Sequence, residues 1–178
     1  MQQYKNLTKI GYYFLLLTSY FLLTYAQAPD TLWTKTFGGY REDQSFCVQQ
    51  TTDAGYILTG WTKSFGAGDF DVYLIKTDGL GNLLWQKTLG GGGEDKGRSG
   101  QQTADGGYII AGRTASYGAG NRDVWLIKTD ANGDTLWTKT FGGAADDDGL
   151  SVQQTSDGGY IVTGYTLSYG AGYGDVYL

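Results

Sequence analysis

The chain has no histidine, a single cysteine (Cys47), a single proline (Pro29) and a single methionine (Met1) in 178 residues. Without histidine there is no Ser-His-Asp or Cys-His nucleophile system and no histidine metal site. One cysteine excludes an internal disulfide, a cysteine zinc site and a cysteine-held iron–sulfur cluster. Lys and Arg number 13 against 18 Asp and Glu, a net charge of −5. No nucleic acid is expected as a partner, because that would call for a basic patch. Glycine is abundant, at 30 residues, together with 15 Tyr and 5 Trp. With one proline and no Gly-X-Y period this is not collagen. Gly, Thr and aromatic enrichment instead predicts many short strands joined by tight turns.

The N-terminus reads as an export signal. Lys5 and Lys9 form a short basic region, and Gly11 to Tyr25 is almost wholly apolar or aromatic. Small residues follow at Ala26 and Ala28. The apolar run is shorter than the roughly 20 residues that span a bilayer, so a signal peptide is favoured over a membrane anchor. Pro29 disfavours a cut after Ala28, so cleavage is expected after Ala26, giving a signal over residues 1–26. The mature chain, 27–178, is then acidic, exported to the cell surface, the medium or the periplasm, and without a membrane span. Cys47 becomes an odd thiol in an exported protein, able in principle to pair between chains. Ser99 and Ser151 fill its equivalent positions, so the slot takes a small side chain and needs no sulfur.

Self-comparison reveals a strict 52-residue repeat. Trp33, Trp85 and Trp137 share this spacing, as do Gly60, Gly112 and Gly164, and Asp71, Asp123 and Asp175. Each copy divides into four alternating or apolar segments. In the first they fall at about 44–51 (A), 55–62 (B), 71–77 (C) and 83–89 (D), all rich in β-formers. Asp-Gly-Gly between A and B supplies hairpin chemistry. Segment B is apolar on both faces and suits a central strand, and segment D alternates and suits an outer one. No segment has a helical period. Four strands per repeat of this length is the pattern of a β-propeller blade. A stacked β-solenoid is the rival, and a β-sandwich needs no such strict repetition.

The expected fold is therefore all-β, a propeller-like array of four-stranded antiparallel blades at about 40–91, 92–143 and 144–178. The third is incomplete, and a lone outer strand at 32–37 precedes the first. Closed propellers have about 4–8 blades, so three leave the ring incomplete. The sequence stops at Asp175-Val176-Tyr177-Leu178, where earlier copies continue with Ile-Lys-Thr-Asp. This reads as the N-terminal part of a longer protein. A ring closed by oligomerisation and a short open array are the rivals, and the unpaired strands offer a route to self-association.

Residues 30–178 resemble exported bacterial repeat proteins built from DGGYIVTGYT…DVYLIKTDANGDTLWTKTFGG units. That string runs almost verbatim through Asp157–Thr166 and Asp123–Gly143. The resemblance implies a propeller akin in shape to quinoprotein-like and kelch-like rings. Longer relatives often end in a type IX secretion sorting domain, and some carry an endoglucanase label. It transfers no catalytic residue.

In propeller geometry the D–A and B–C loops share one face, often the ligand face. It would carry the acids Glu42, Asp43, Glu94, Asp95, Asp146, Asp147 and Asp148 and the aromatics Phe65, Tyr117 and Tyr169. Carboxylates accept sugar hydroxyls or hold a cation such as calcium, and rings stack on sugar faces, so a glycan, a cation or a protein ligand is the candidate. The competing reading makes the acids solvated loop charges and the aromatics inter-blade packing. Paired carboxylates also serve glycoside hydrolysis, but that chemistry needs two acids in unlike environments, and a near-symmetric repeat supplies like ones. Asp71, Asp123 and Asp175 are expected to fix the B–C turn, and Trp33, Trp85 and Trp137 to pack blades. No metal or cofactor is expected. Asp130–Asp134 hints at a calcium loop but has its glycine in the wrong place. Gly90–Gly93 resembles no phosphate loop, since neither Lys-Ser/Thr nor a helix follows. The expected function is a non-catalytic binding or scaffold module. The alternatives are a carbohydrate-active enzyme whose chemistry lies outside this sequence, and a quinoprotein-like dehydrogenase, which needs a closed ring.

Overall fold

The computed structural model describes residues 32–178. The export signal expected at 1–26 lies outside the described residues. Eleven strands form in three antiparallel sheets, and no helix is present among the described residues. Blade 1 contains β1 (Asp43–Gln50), β2 (Tyr56–Thr62), β3 (Asp71–Thr77) and β4 (Leu83–Leu89) in that spatial order. Blade 2 contains β5 (Asp95–Gln102), β6 (Tyr108–Thr114), β7 (Asp123–Thr129) and β8 (Thr135–Phe141). Blade 3 contains β9 (Asp147–Gln154), β10 (Tyr160–Thr166) and the short β11 (Asp175–Tyr177), with β10 in the middle. The fold is thus the expected propeller-like array, and the sheets do not close on one another. Strand bounds match the sequence reading to within one residue.

The apolar core lies between blades. Ile57 and Leu74 of blade 1 join Tyr108, Ile110, Trp125 and Ile127 of blade 2 in one buried cluster. Ile109, Ala111 and Leu126 of blade 2 join Val152 of blade 3 in a second. Each blade therefore presents one set of side chains to the blade behind and another to the blade ahead. Backbone ties run across the same seams. The Asp95 N–H donates to the Phe70 carbonyl and the Asp147 N–H to the Arg122 carbonyl, each at 2.8 Å.

The inner strands carry a feature absent from the sequence reading. In β1, β5 and β9 the pairing register shifts, leaving Phe46, Arg98 and Leu150 as the extra residue of a bulge against β2, β6 and β10. Such a bulge re-aims one side chain and tightens local twist.

The lone strand expected at 32–37 is not formed. A D strand takes its ladder from strand C of its own blade, and among the described residues no strand C lies beside this segment. Its side chains still behave as those of a D strand toward the next blade. Trp33 meets Tyr56 edge-on at 6.0 Å, as Trp85 meets Tyr108 at 5.8 Å. Lys35 reaches Asn82 as Lys87 reaches Asp134. Gly81, at φ 74°, turns the C–D loop under Trp33 and leaves no room there for a side chain.

Two substitutions test this packing. A Cβ at Gly112 would overlap the Lys96 carbonyl oxygen of the paired strand. Gly112→Val should therefore cost about 1–3 kcal/mol in urea unfolding. Ala54 occupies the A–B turn at φ 63°, where the other copies place Gly106 and Gly158. Ala54→Gly should relieve that left-handed strain and gain about 1 kcal/mol in the same assay.

Candidate functional site

The repeated acids are tied into the loops that hold the blades. Asp43 accepts hydrogen bonds from the Gly39 N–H at 2.8 Å, from the Ser64 hydroxyl at 2.8 Å and from the Thr62 hydroxyl. Burial alone would raise its carboxyl, but the bonds from Thr62, Gly39 and Ser64 outweigh it and hold the group below its ordinary range. Asp95 takes the Gly91 N–H and the Ser116 hydroxyl, and Asp147 the Gly143 N–H and the Ser168 hydroxyl. Asp71 accepts from the Gly68 N–H, Asp123 from those of Ala119 and Gly120, and Asp175 from that of Ala171. These acids pin the B–C and D–A loops together on one face of the array.

On that face the aromatics stand partly open. Phe65, Tyr117 and Tyr169 are 38%, 49% and 54% exposed. Each leans on a strand-C ring of its own blade, Tyr73, Trp125 or Tyr177. The Tyr117 and Tyr169 hydroxyls donate to the carbonyls of Gly90 and Gly142 in the preceding D–A loop. Three exposed rings thus recur along one face, one per blade. Trp33, Trp85 and Trp137 lie elsewhere, each against the Tyr that opens the next blade's second strand.

Charge gathers where the copies differ. The matched positions Gln44/Lys96/Asp148, Phe46/Arg98/Leu150, Trp61/Arg113/Tyr165 and Phe70/Arg122/Gly174 vary in type, and they converge near the inner strands. Arg113 bridges Glu94 at 2.5 Å and Asp148 at 3.3 Å. Arg98, aimed by the bulge, reaches Asp148 at 3.1 Å. Arg122 spans Glu94 and Asp146. Lys96 pairs with Glu94 and stands 3.7 Å from the Phe70 ring centre and 5.2 Å from that of Trp61. Asp148 is buried, and burial pushes its carboxyl upward against the pull of Arg98 and Arg113. Glu94 goes the other way: burial is outweighed by Arg113 and Lys96, and the group stays ionised below its ordinary range. Glu42, the matching acid of blade 1, meets only Lys63.

Blade 1 is therefore joined to blade 2 through cation–π contact, and blade 2 to blade 3 through ion pairs. The sequence reading named the acids Glu94, Asp146 and Asp148 but missed Lys96, Arg98, Arg113 and Arg122. The available signal was the inverse of the repeat, namely the few places where otherwise matching copies disagree. Among the described residues no three Cys, Asp or Glu side chains converge as metal ligands.

Fold and site together define an all-β repeat array whose seams are apolar inside and individually polar at the inner edge. No family model matches the chain. It is similar to the regulatory protein FlaEY of Caulobacter vibrioides, 29% identical over 137 residues. The match covers 68% of this chain and 14% of that protein, so the chain spans only a small part of that relative's length. Among the described residues no helix is long and apolar enough to cross a membrane.

A second charged device sits on the opposite loops. Lys76 is buried along its stem and reaches Asp53 of the A–B turn at 2.9 Å, and Lys128 reaches Asp105 at 2.9 Å. Lys76 and Thr51 hold Asp53 down at about 2, and Thr103 and Lys128 do the same for Asp105, at about 2. A carboxyl depressed by folding stabilises the native state above its unfolded value, near 3.8, and loses that contribution as pH falls toward the folded value. Unfolding curves from pH 6 downward should show this as a steepening loss of stability between about pH 4 and pH 2. The doubly substituted Asp53→Asn, Asp105→Asn chain should be less stable at pH 6, with the difference from wild type closing across that window.

Proposed function

We propose that the chain is an exported repeat module that binds protein or glycan at the cell surface and catalyses no reaction of its own. The observation that carries this reading is a division of labour on the loop face. Asp43, Asp95 and Asp147 each commit an oxygen to a neighbouring backbone N–H and a serine hydroxyl, while Phe65, Tyr117 and Tyr169 stay open as a row of rings at the repeat spacing. Exposed rings on a rigid frame give contact area at low entropic cost, for a sugar face or for a protein surface. Export draws support from the basic and apolar layout of residues 1–26 and from the resemblance of the units to exported bacterial repeat proteins. A role without chemistry fits the similarity to a protein named as regulatory.

The test uses the full chain expressed in an exporting bacterium. Intact mass of the secreted product should place its first residue at Gln27. The product, applied to a glycan array and to surface proteins of that cell with and without calcium, should be retained on at least one class. The combined Phe65→Ala, Tyr117→Ala, Tyr169→Ala variant should bind it about tenfold more weakly, a loss of ~1.4 kcal/mol. Retention on neither class, or release of reducing sugar from a polysaccharide, would overturn the reading.

A further inference from the structure

The loop face is not alike in all three blades. One hydrogen bond of its frame recurs: the N–H groups of Arg41, Gly93 and Ala145 donate to the hydroxyls of Ser64, Ser116 and Ser168 at 3.0, 2.9 and 3.1 Å. The backbone frame is therefore common, and the side chains on it differ. Where blade 1 has Tyr40 and Arg41, blade 2 has Gly92 and Gly93, and blade 3 has Ala144 and Ala145. Where blade 1 has Phe65, the others have Tyr117 and Tyr169, whose hydroxyls donate to the carbonyls of Gly90 and Gly142. Phe65 has no hydroxyl to give Gly38, the matching residue. In blade 1 these differences surround a concavity of about 570 Å³ lined by Gly38, Gly39, Tyr40, Arg41, Ser64 and Phe65. Tyr40 is fully exposed, and that exposure belongs to its position rather than to the end of the array. The equivalent Gly92 lies at a seam with a blade on each side, and a Cβ there would meet nothing within 4 Å. Tyr117, at the same seam, is still 49% exposed.

We propose that this concavity binds a uronic acid unit of an acidic polysaccharide, a reading that rests on the loop face being a binding face. Charge selects the ligand. Arg98, Arg113 and Arg122 are ion-paired, whereas the exposed Arg41 has no carboxylate in reach among the described residues. The acids beside it in sequence are engaged, Asp43 by Gly39, Ser64 and Thr62, and Glu42 by Lys63. The guanidinium is thus left to a carboxylate from outside, which its planar fork can hold through two parallel N–H donors. The rings of Tyr40 and Phe65 supply apolar area for the C–H face of the sugar, and a few polar groups in a concave wall fix its orientation. A sugar hydroxyl takes the place of the tyrosine hydroxyl that blade 1 lacks and donates to the Gly38 carbonyl. The acidic chain repels a polyanion at long range, but physiological salt screens that repulsion beyond a few ångströms and spares the close pair. Blades 2 and 3, with glycine or alanine in place of both Tyr40 and Arg41, offer no such site, so the array carries one of them among the described residues.

The test applies the secreted full chain, in physiological salt, to immobilised polygalacturonate, alginate and hyaluronate, with the methyl ester of each polymer as its uncharged control. At least one acid polymer should hold the chain about tenfold more tightly than its ester does. Arg41→Ala and Phe65→Tyr put into blade 1 residues that the other blades already hold, so both variants should fold with unchanged melting. Arg41→Ala should lower binding of the acid polymer to the level of its ester, and Arg41→Lys should restore only part of the difference, because an ammonium lacks the fork. Phe65→Tyr, which satisfies the Gly38 carbonyl from within, should weaken acid and ester alike. Equal retention on acid and ester, retention on neutral glycans or surface proteins alone, or an Arg41→Ala chain that binds like wild type would overturn the uronate site and leave the binding face standing. Retention on nothing would overturn both.

Discussion

A blade of this kind cannot bury its own sheet. Four strands of seven or eight residues give two faces and no interior, so every apolar side chain depends on a neighbouring blade. Blade 2, flanked on both sides, is the proof. Its central strands β6 and β7 are buried almost throughout, while the matching β10 of blade 3 alternates between open and covered residues. The seam between sheets is the unit of stability, and loops, bulges and turns serve to set the distance across it.

That distance is short because small residues stand at the inner strands. A Cβ at Gly97 would crowd the Thr59 methyl and the Gly60 carbonyl, and one at Gly149 would crowd Val124 and the Gly112 carbonyl, each across a seam. The inner strands can therefore approach closely enough for glutamine side chains to hydrogen-bond the next blade's backbone. Close approach at the inner edge with bulky Trp–Tyr contacts at the outer edge makes each blade a wedge. Wedges stacked by one repeated step would turn about an axis, as the blades of a propeller do.

Much of this was legible in the sequence because repetition multiplies weak signals. One Asp-Gly-Gly is an ordinary turn, but two, with Asp53-Ala54-Gly55 at the same fixed spacing between β-rich segments, define hairpins, and the strand bounds followed to within a residue. The roles expected of Asp71 and Trp85 rest on the same logic, that a residue kept in every copy serves what every copy does. Three features were hidden. The bulge at Phe46, Arg98 and Leu150 has no compositional mark, since the residues that occupy it share no property. The strand expected at 32–37 has strand composition, yet a strand exists only beside a partner, and partnership is not a property of the segment. The charge network was hidden because Arg98 and Arg113 sit 50 and 35 residues from Asp148 and look like ordinary surface charges until the seam brings them together.

Near-identical repeats carry a risk that the variable positions answer. If any blade packs equally well on any other, the order of blades in the array is unspecified, and misassembled states compete with the native one. The apolar seam cannot choose, because Ile57 and Ile109 are the same side chain. The inner polar pairs can. Placing blade 3 directly on blade 1 would set Asp148 against Trp61 and Phe70, leaving a buried carboxylate with aromatic rings where it had two guanidinium groups. An uncompensated buried charge costs several kcal/mol, more than the difference between one isoleucine contact and another. The few residues that break the repeat are thus enough to order it, and the one they order most firmly is blade 2, which meets a different partner chemistry on each side.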